Sequence, residues 1–162
     1  MQILKDLISN HMLLAPVAAW LISQILKLII HALVDGKFSI ERLYGDGGMP
    51  STHSATVMAL AVMCGWCCGF ASVEFAIGVI FASVVMRDAT GVRREAGKHA
   101  TVIKELVKGI NAMFLEKDEQ IRTEKLKEFV GHTPLQVTFG AILGAVIAIV
   151  YISVFSVPYA VF

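Results

Sequence analysis

The sequence predicts an all-α fold, a polytopic membrane helical bundle of about four spans with an added interfacial amphipathic helix. Three observations predict it. Hydrophobic residues fill 56% of the 162 positions and charged residues only 17%, below the share usual in a soluble domain. Mean hydropathy is +0.70, so there is too little polar side chain to coat a water-soluble globule. The charges are also gathered into two stretches between apolar runs rather than spread along them.

A helix of about 20 residues crosses the roughly 30 Å of hydrocarbon in a bilayer. Residues 12–34 form the first run and carry Gln24, Lys27 and His31 within it. Residues 55–70 are shorter and almost wholly apolar. Residues 72–85 follow after a brief break, with Glu74 near their start. Cys64-Gly65-Trp66-Cys67-Cys68-Gly69 is the expected turn between these two runs, which could instead form a buried hairpin that only partly crosses. Residues 134–155 make the last run, opened by Pro134, a residue suited to a first helical turn. No repeat or low-complexity segment interrupts the pattern, so residues 1–162 are expected to form a single membrane-embedded domain. The opening MQILKDLISN is amphipathic and lacks a small-residue cleavage site, so no cleavable leader is expected.

The basic residues test the span count. With four spans, residues 35–54 and 86–133 share one side of the membrane. They hold Lys37, Arg42, Arg87, Arg93, Arg94, Lys98, Lys104, Lys108, Lys117, Arg122, Lys125 and Lys127, twelve of the fourteen Lys and Arg residues. Positively charged loops stay cytoplasmic, which puts both loops in the cytosol and both termini outside. Within the longer loop, Val102, Leu106, Ile110 and Met113 recur at helical spacing over 100–114, with Lys104, Glu105 and Lys108 on another face. That is the pattern of an amphipathic helix lying along the interface. Residues 116–128 read as a solvated charge run.

Cys64 and Cys67 form a C-x-x-C pair, a spacing that can signal redox or metal chemistry. No basic flank, polar partner or second pair accompanies it, so the cysteines read as small apolar packing residues. No metal and no cofactor are expected.

Three polar blocks stand at the cytosolic helix ends. In Gly47-Gly48-Met49-Pro50-Ser51-Thr52-His53-Ser54 a tight turn is followed by three hydroxyls, a histidine and the opening amides of a helix. Free amides and the positive end of the helix dipole suit an anion. A plain N-cap explains one hydroxyl but not His53, a residue suited to proton transfer. The second block runs from Arg87 and Asp88 through Arg93, Arg94 and Lys98 to His99. Paired arginines grip phosphate oxygens in bidentate fashion, and an ordinary basic flank would explain them without Asp88, an acid at the membrane edge that needs a partner. On one continuous helix Asp88, Val92, Glu95 and His99 share a side, with Asp88 and His99 about 16 Å apart. Asp88 would then pair with an arginine or orient His53 or His132. The third block, Val130-Gly131-His132-Thr133-Pro134, again sets a histidine and a hydroxyl at a helix start, where a glycine C-cap followed by a threonine N-cap is the plainer reading.

Lys27 lies inside the first run with Gln24 about a turn away. A lysine in lipid is a functional candidate, here reaching into the shared site rather than snorkelling to the surface. His31 lines the same route or sits at headgroup level, and His11 is expected at the interface.

These blocks, in this order, resemble the divergent branch of the type-2 phosphatidic acid phosphatases, relatives of the acid phosphatases and vanadium-dependent haloperoxidases. The resemblance covers nearly the whole chain. In the wider superfamily a Pro-Ser-Gly-His block holds phosphate and protonates the leaving oxygen. Pro50-Ser51-Thr52-His53 is similar, which implies His53 as general acid and Ser51 as a phosphate ligand. A later superfamily block spaces an arginine, a nucleophilic histidine and an orienting aspartate. Arg93 and His99 reproduce its first interval, while Ile103 stands where the aspartate would. Either Asp88 supplies the carboxylate from another direction or His132 is the nucleophile. The superfamily's opening Lys-x6-Arg-Pro is unmatched, since Val34 follows Lys27 at that interval.

The resemblance implies a membrane phosphatase that hydrolyses a lipid phosphate monoester or pyrophosphate at the cytosolic face. His53, His99, His132 and Asp88 are the catalytic candidates, and Lys27, Ser51, Thr52, Ser54, Arg93 and Arg94 the phosphate ligands. The alternative is a non-catalytic headgroup-binding or membrane assembly protein that retains the anion pocket. A transporter is disfavoured, because four spans without an inverted repeat give little scaffold for alternating access. Membrane lipids and a lipid phosphate are the expected partners, with no nucleic acid, and a homo-oligomer is compatible with the pattern. The expected location is the plasma membrane of a bacterium.

Overall fold

A computed structural model describes residues 1–35, 48–114 and 131–160. The expected charge run at 116–128 lies outside them, as do Gly47 and the basic residues Lys37, Arg42, Lys117, Arg122, Lys125 and Lys127. The described residues form six helices: α1 (Gln2–Ile8), α2 (His11–Asp35), α3 (Thr52–Cys68), α4 (Val73–Thr90), α5 (Val92–Phe114) and α6 (Pro134–Val154).

Helix α3 is the axis of the bundle, packed against α2, α4 and α6. Its sequence shows why. It is apolar on every side, the signature of a helix with no solvent face, and it buries Ala55, Val57, Ala59, Ala61, Met63 and Cys64. Small residues let the neighbours approach closely. On α6, Gly140, Gly144, Ala148 and Ile152 form the buried stripe. A Cβ added at Gly144 would stand 2.1 Å from the Ala55 carbonyl oxygen, and one at Gly140 would stand 2.4 Å from that of Ser51.

The outer faces are apolar too. Ile25 and Ile29 of α2, Ile77 and Ile80 of α4, and Ile142 and Ile149 of α6 are all exposed. A bundle with small residues inside and large aliphatic ones outside is built for lipid. By length and composition α2, α6 and the α4 segment can each cross a membrane, while α3 at 17 residues is a shorter apolar helix. The expected helical membrane bundle is therefore what the chain forms.

Two boundaries differ from expectation. The turn after α3 is not at 64–69; the helix runs through Cys68 and the chain reverses over Gly69 to Ser72. Gly69 takes φ +88°, which side chains disfavour, and Ser72 caps α4 by accepting from the Phe75 amide at 3.1 Å. Helix α5 begins at Val92 rather than near 100. Its charged first turns are stabilised internally, with Lys98 Nζ donating to Glu95 Oε1 at 2.7 Å. A break at Gly91 (φ −102°, ψ −95°) separates it from α4, so Asp88 and His99 do not lie on one continuous helix.

At the far end the C-terminal residues fold back on α3. Trp66 Nε1 donates to Val157 O at 2.9 Å, and the Ala160 amide donates to Trp66 O at 3.0 Å. His11 Nδ1 lies 3.1 Å from the Tyr151 hydroxyl. The three cysteines are free thiols.

Candidate functional site

The site is built where α3 and α6 begin and α4 ends. Ser51 is the N-cap of α3, and its hydroxyl accepts from the Ser54 amide. Ser54 Oγ donates to the same Ser51 oxygen at 3.0 Å. Ser51, Thr52 and Ser54 are all buried, whereas His53 between them is exposed. The block thus presents its imidazole outward and holds its hydroxyls inside. The opening amides of α3 precede the intrahelical ladder and concentrate the positive end of the dipole.

Backbone hydrogen bonds join this end to its neighbours. The Ser51 amide donates to Gln136 O of α6 at 3.2 Å, and the His132 amide donates to Ala89 O of α4 at 2.9 Å. Thr133 caps α6 in a reciprocal box with Gln136. Gln136 Oε1 accepts from the Thr133 amide at 2.9 Å and lies 3.4 Å from His132 Nδ1. In the tautomer that shares an Nδ1 proton with that oxygen, the lone pair of the ring is on Nε2. His132 is itself buried, 5% exposed. Its ring centroid stands 6.5 Å from that of His53, the planes inclined at 57°.

From α2 comes Lys27, 6% exposed. Its stem lies across Gly48, where an added Cβ would meet Cε at 2.8 Å and Cγ at 3.3 Å. Gly48 has φ +109°, so both its conformation and the overlying lysine call for glycine. Ser23, one turn earlier on α2, is fully buried and donates to Trp20 O at 2.9 Å. Gln24 and His31 are half-buried.

The structure therefore brings together Lys27, Ser51, Thr52, Ser54, His53 and His132. Asp88 is half-buried beside Ala89 and so adjoins the His132 corner. Arg94 and His99 are exposed on α5, which packs against α4 rather than against the start of α3 or α6. Arg93 is in the first turn of α5, and its side chain lies outside the described residues. Sequence reasoning missed Gln136, although Thr133-x-x-Gln136 is a readable capping box.

A family profile described as "Divergent PAP2 family" matches residues 8–147, a span that includes all of these residues. The chain is also 41% identical over 151 residues, covering 90% of it and 96% of the relative, to a Bacillus subtilis (strain 168) protein described as "Uncharacterized membrane protein YuiD". No solved structure matches significantly.

Proposed function

Because the chain belongs to the divergent PAP2 family, we propose that it is a phosphatase hydrolysing a lipid phosphate monoester or pyrophosphate at the cytosolic face of the membrane. The observation that carries this reading is the pair of imidazoles, 6.5 Å apart, over a helix start with three buried hydroxyl residues and a buried lysine. His132 Nε2 attacks phosphorus. A P–N bond forms while the P–O bond to the lipid breaks, and the His53 imidazolium protonates the departing oxygen. Water then attacks the phosphohistidine, giving its proton to His53 as the P–N bond breaks and phosphate leaves. Lys27, Ser51, Thr52, Ser54 and the α3 amides hold the equatorial oxygens, with Arg93 and Arg94 drawing the anion in from α5. Asp88 assists at the His132 corner. Helix α3 supports a site at headgroup depth, since its 17 residues extend about 26 Å, short of the roughly 30 Å of hydrocarbon.

The test is phosphate release from detergent-solubilised protein over phosphatidic acid, phosphatidylglycerol phosphate and a polyprenyl pyrophosphate. Vanadate should inhibit, and His132→Ala and His53→Ala should each lower turnover by about 10²-fold or more. His99→Ala should retain turnover; loss there with a fully active H132A would move the nucleophile to His99. Unchanged release in both H53A and H132A would sink the reading. Lipid binding without release by the wild type would instead identify a headgroup-binding protein, in keeping with Ile103 at the position where the wider superfamily has aspartate.

A further inference from the structure

Among the described residues, helix α5 carries an apolar face that no other helix covers. It packs against α4, which it follows, and makes no comparable contact with α2, α3 or α6. At about 100° per residue, Val102, Ile103, Leu106, Ile110 and Met113 fall on one side, opposite Thr101, Lys104, Glu105 and Lys108. Leu106 is 61% exposed and Met113 77%. Arg93, Arg94, Lys98, Lys104 and Lys108 stand against Glu95 and Glu105, so basic residues exceed acidic ones along the helix. Seven charged residues rule it out as a membrane span.

We infer that α5 docks on the anionic leaflet of the membrane that the chain itself spans. It lies flat, with Leu106 and Ile110 among the acyl chains and Lys104 and Lys108 at the phosphates. Three observations select this occupant. The apolar stripe is continuous and exposed, and its flank is positive, complementary to acidic lipid rather than to a neutral surface. Only Gly91 separates the helix from the end of α4, so it leaves a membrane helix at the bilayer edge and needs no separate recruitment. Docking has a consequence for the corner before it. Ala89, two residues from the Gly91 break, holds the His132 amide, so a leaflet that fixes α5 also fixes the end of α4 on which His132 rests. The inference depends on the membrane placement alone and stands whether or not the site turns over.

The test is hydrogen–deuterium exchange of the full chain in nanodiscs loaded at one copy per disc, in phosphatidylcholine alone or mixed with phosphatidylglycerol. With the anionic lipid, amides 101–113 should exchange about tenfold more slowly, and high salt should reverse the effect. The protection should fall in Lys104→Gln/Lys108→Gln and in Leu106→Asp, while amides 76–88 of α4 stay protected and report an intact bundle. Equal exchange in both lipids would overturn the inference. Protection that arises only in discs holding two copies would overturn it in favour of a self-association face, and protection only on adding soluble protein would assign the face to that partner.

Discussion

Lys27 and Gly48 pack against each other although they are far apart in sequence. The lysine stem of α2 crosses the glycine that precedes the start of α3. Lys27→Met keeps the stem and removes the charge; it should leave the bundle folded and weaken vanadate or phosphate binding by about 2 kcal/mol, read by titration. Gly48→Ala acts on both partners. It strains a backbone at φ +109° by about 1–2 kcal/mol and displaces the lysine, so both thermal stability and anion affinity should drop. If either variant binds the anion as the wild type does, Lys27 is a structural lysine only. His53, Ser51, Ser54 and His132 were legible in the sequence because helix-start chemistry is local: a turn, a hydroxyl and a histidine are read within one block. The burial of Ser23 and the bond to the Gln136 carbonyl were not, since both arise from which helix lies opposite.

Among the helices, α3 and α6 set the site's geometry through contact that leaves no space. Gly144→Ala would push a methyl group to 2.1 Å from the Ala55 carbonyl, and backbone cannot yield as a flexible side chain does. We expect a loss of about 3 kcal/mol, measured as lowered thermal stability in detergent, with Gly109→Ala as the control at a position open to space. On α5, Lys98 donates to Glu95 and holds its carboxyl below the usual carboxylate range. A lowered folded-state pKa stabilises above the ordinary value and is lost as pH falls through the lowered one. Helicity of α5 in Glu95→Gln should therefore fall short of wild type at neutral pH and converge with it in acid. The apolar runs were legible because a helix enclosed on all sides shows no polar face. The turn at Gly69 and the early start of α5 were less so. The first depends on a single left-handed residue, and the second on an ion pair that rescues a charged first turn.

Over the whole molecule, the distribution of Lys and Arg predicts that the site faces the cytosol and that the tail clasped by Trp66 faces outward. Reporter fusions test it. A reporter active only outside the cytosol should work when joined after Phe162, and the same reporter inserted within residues 115–130 should be silent. The opposite pattern would invert the protein and move the site to the outer leaflet. Fold class was readable from composition because lipid, unlike water, permits aliphatic residues on the outside. The convergence of three polar blocks was readable only as parity, with each block on the same side. Which of them touch required the packing of α6 on α3 and the separation of α5 from that pair.

The stitches at the site's corner are made by main chain: Ser51 to Gln136, and His132 to Ala89. Main-chain bonds do not depend on which side chain a residue bears. Mutation can therefore exchange histidines, arginines or the missing carboxylate while three helix ends stay fastened together. Such a frame tolerates drift in side-chain chemistry without collapse of architecture.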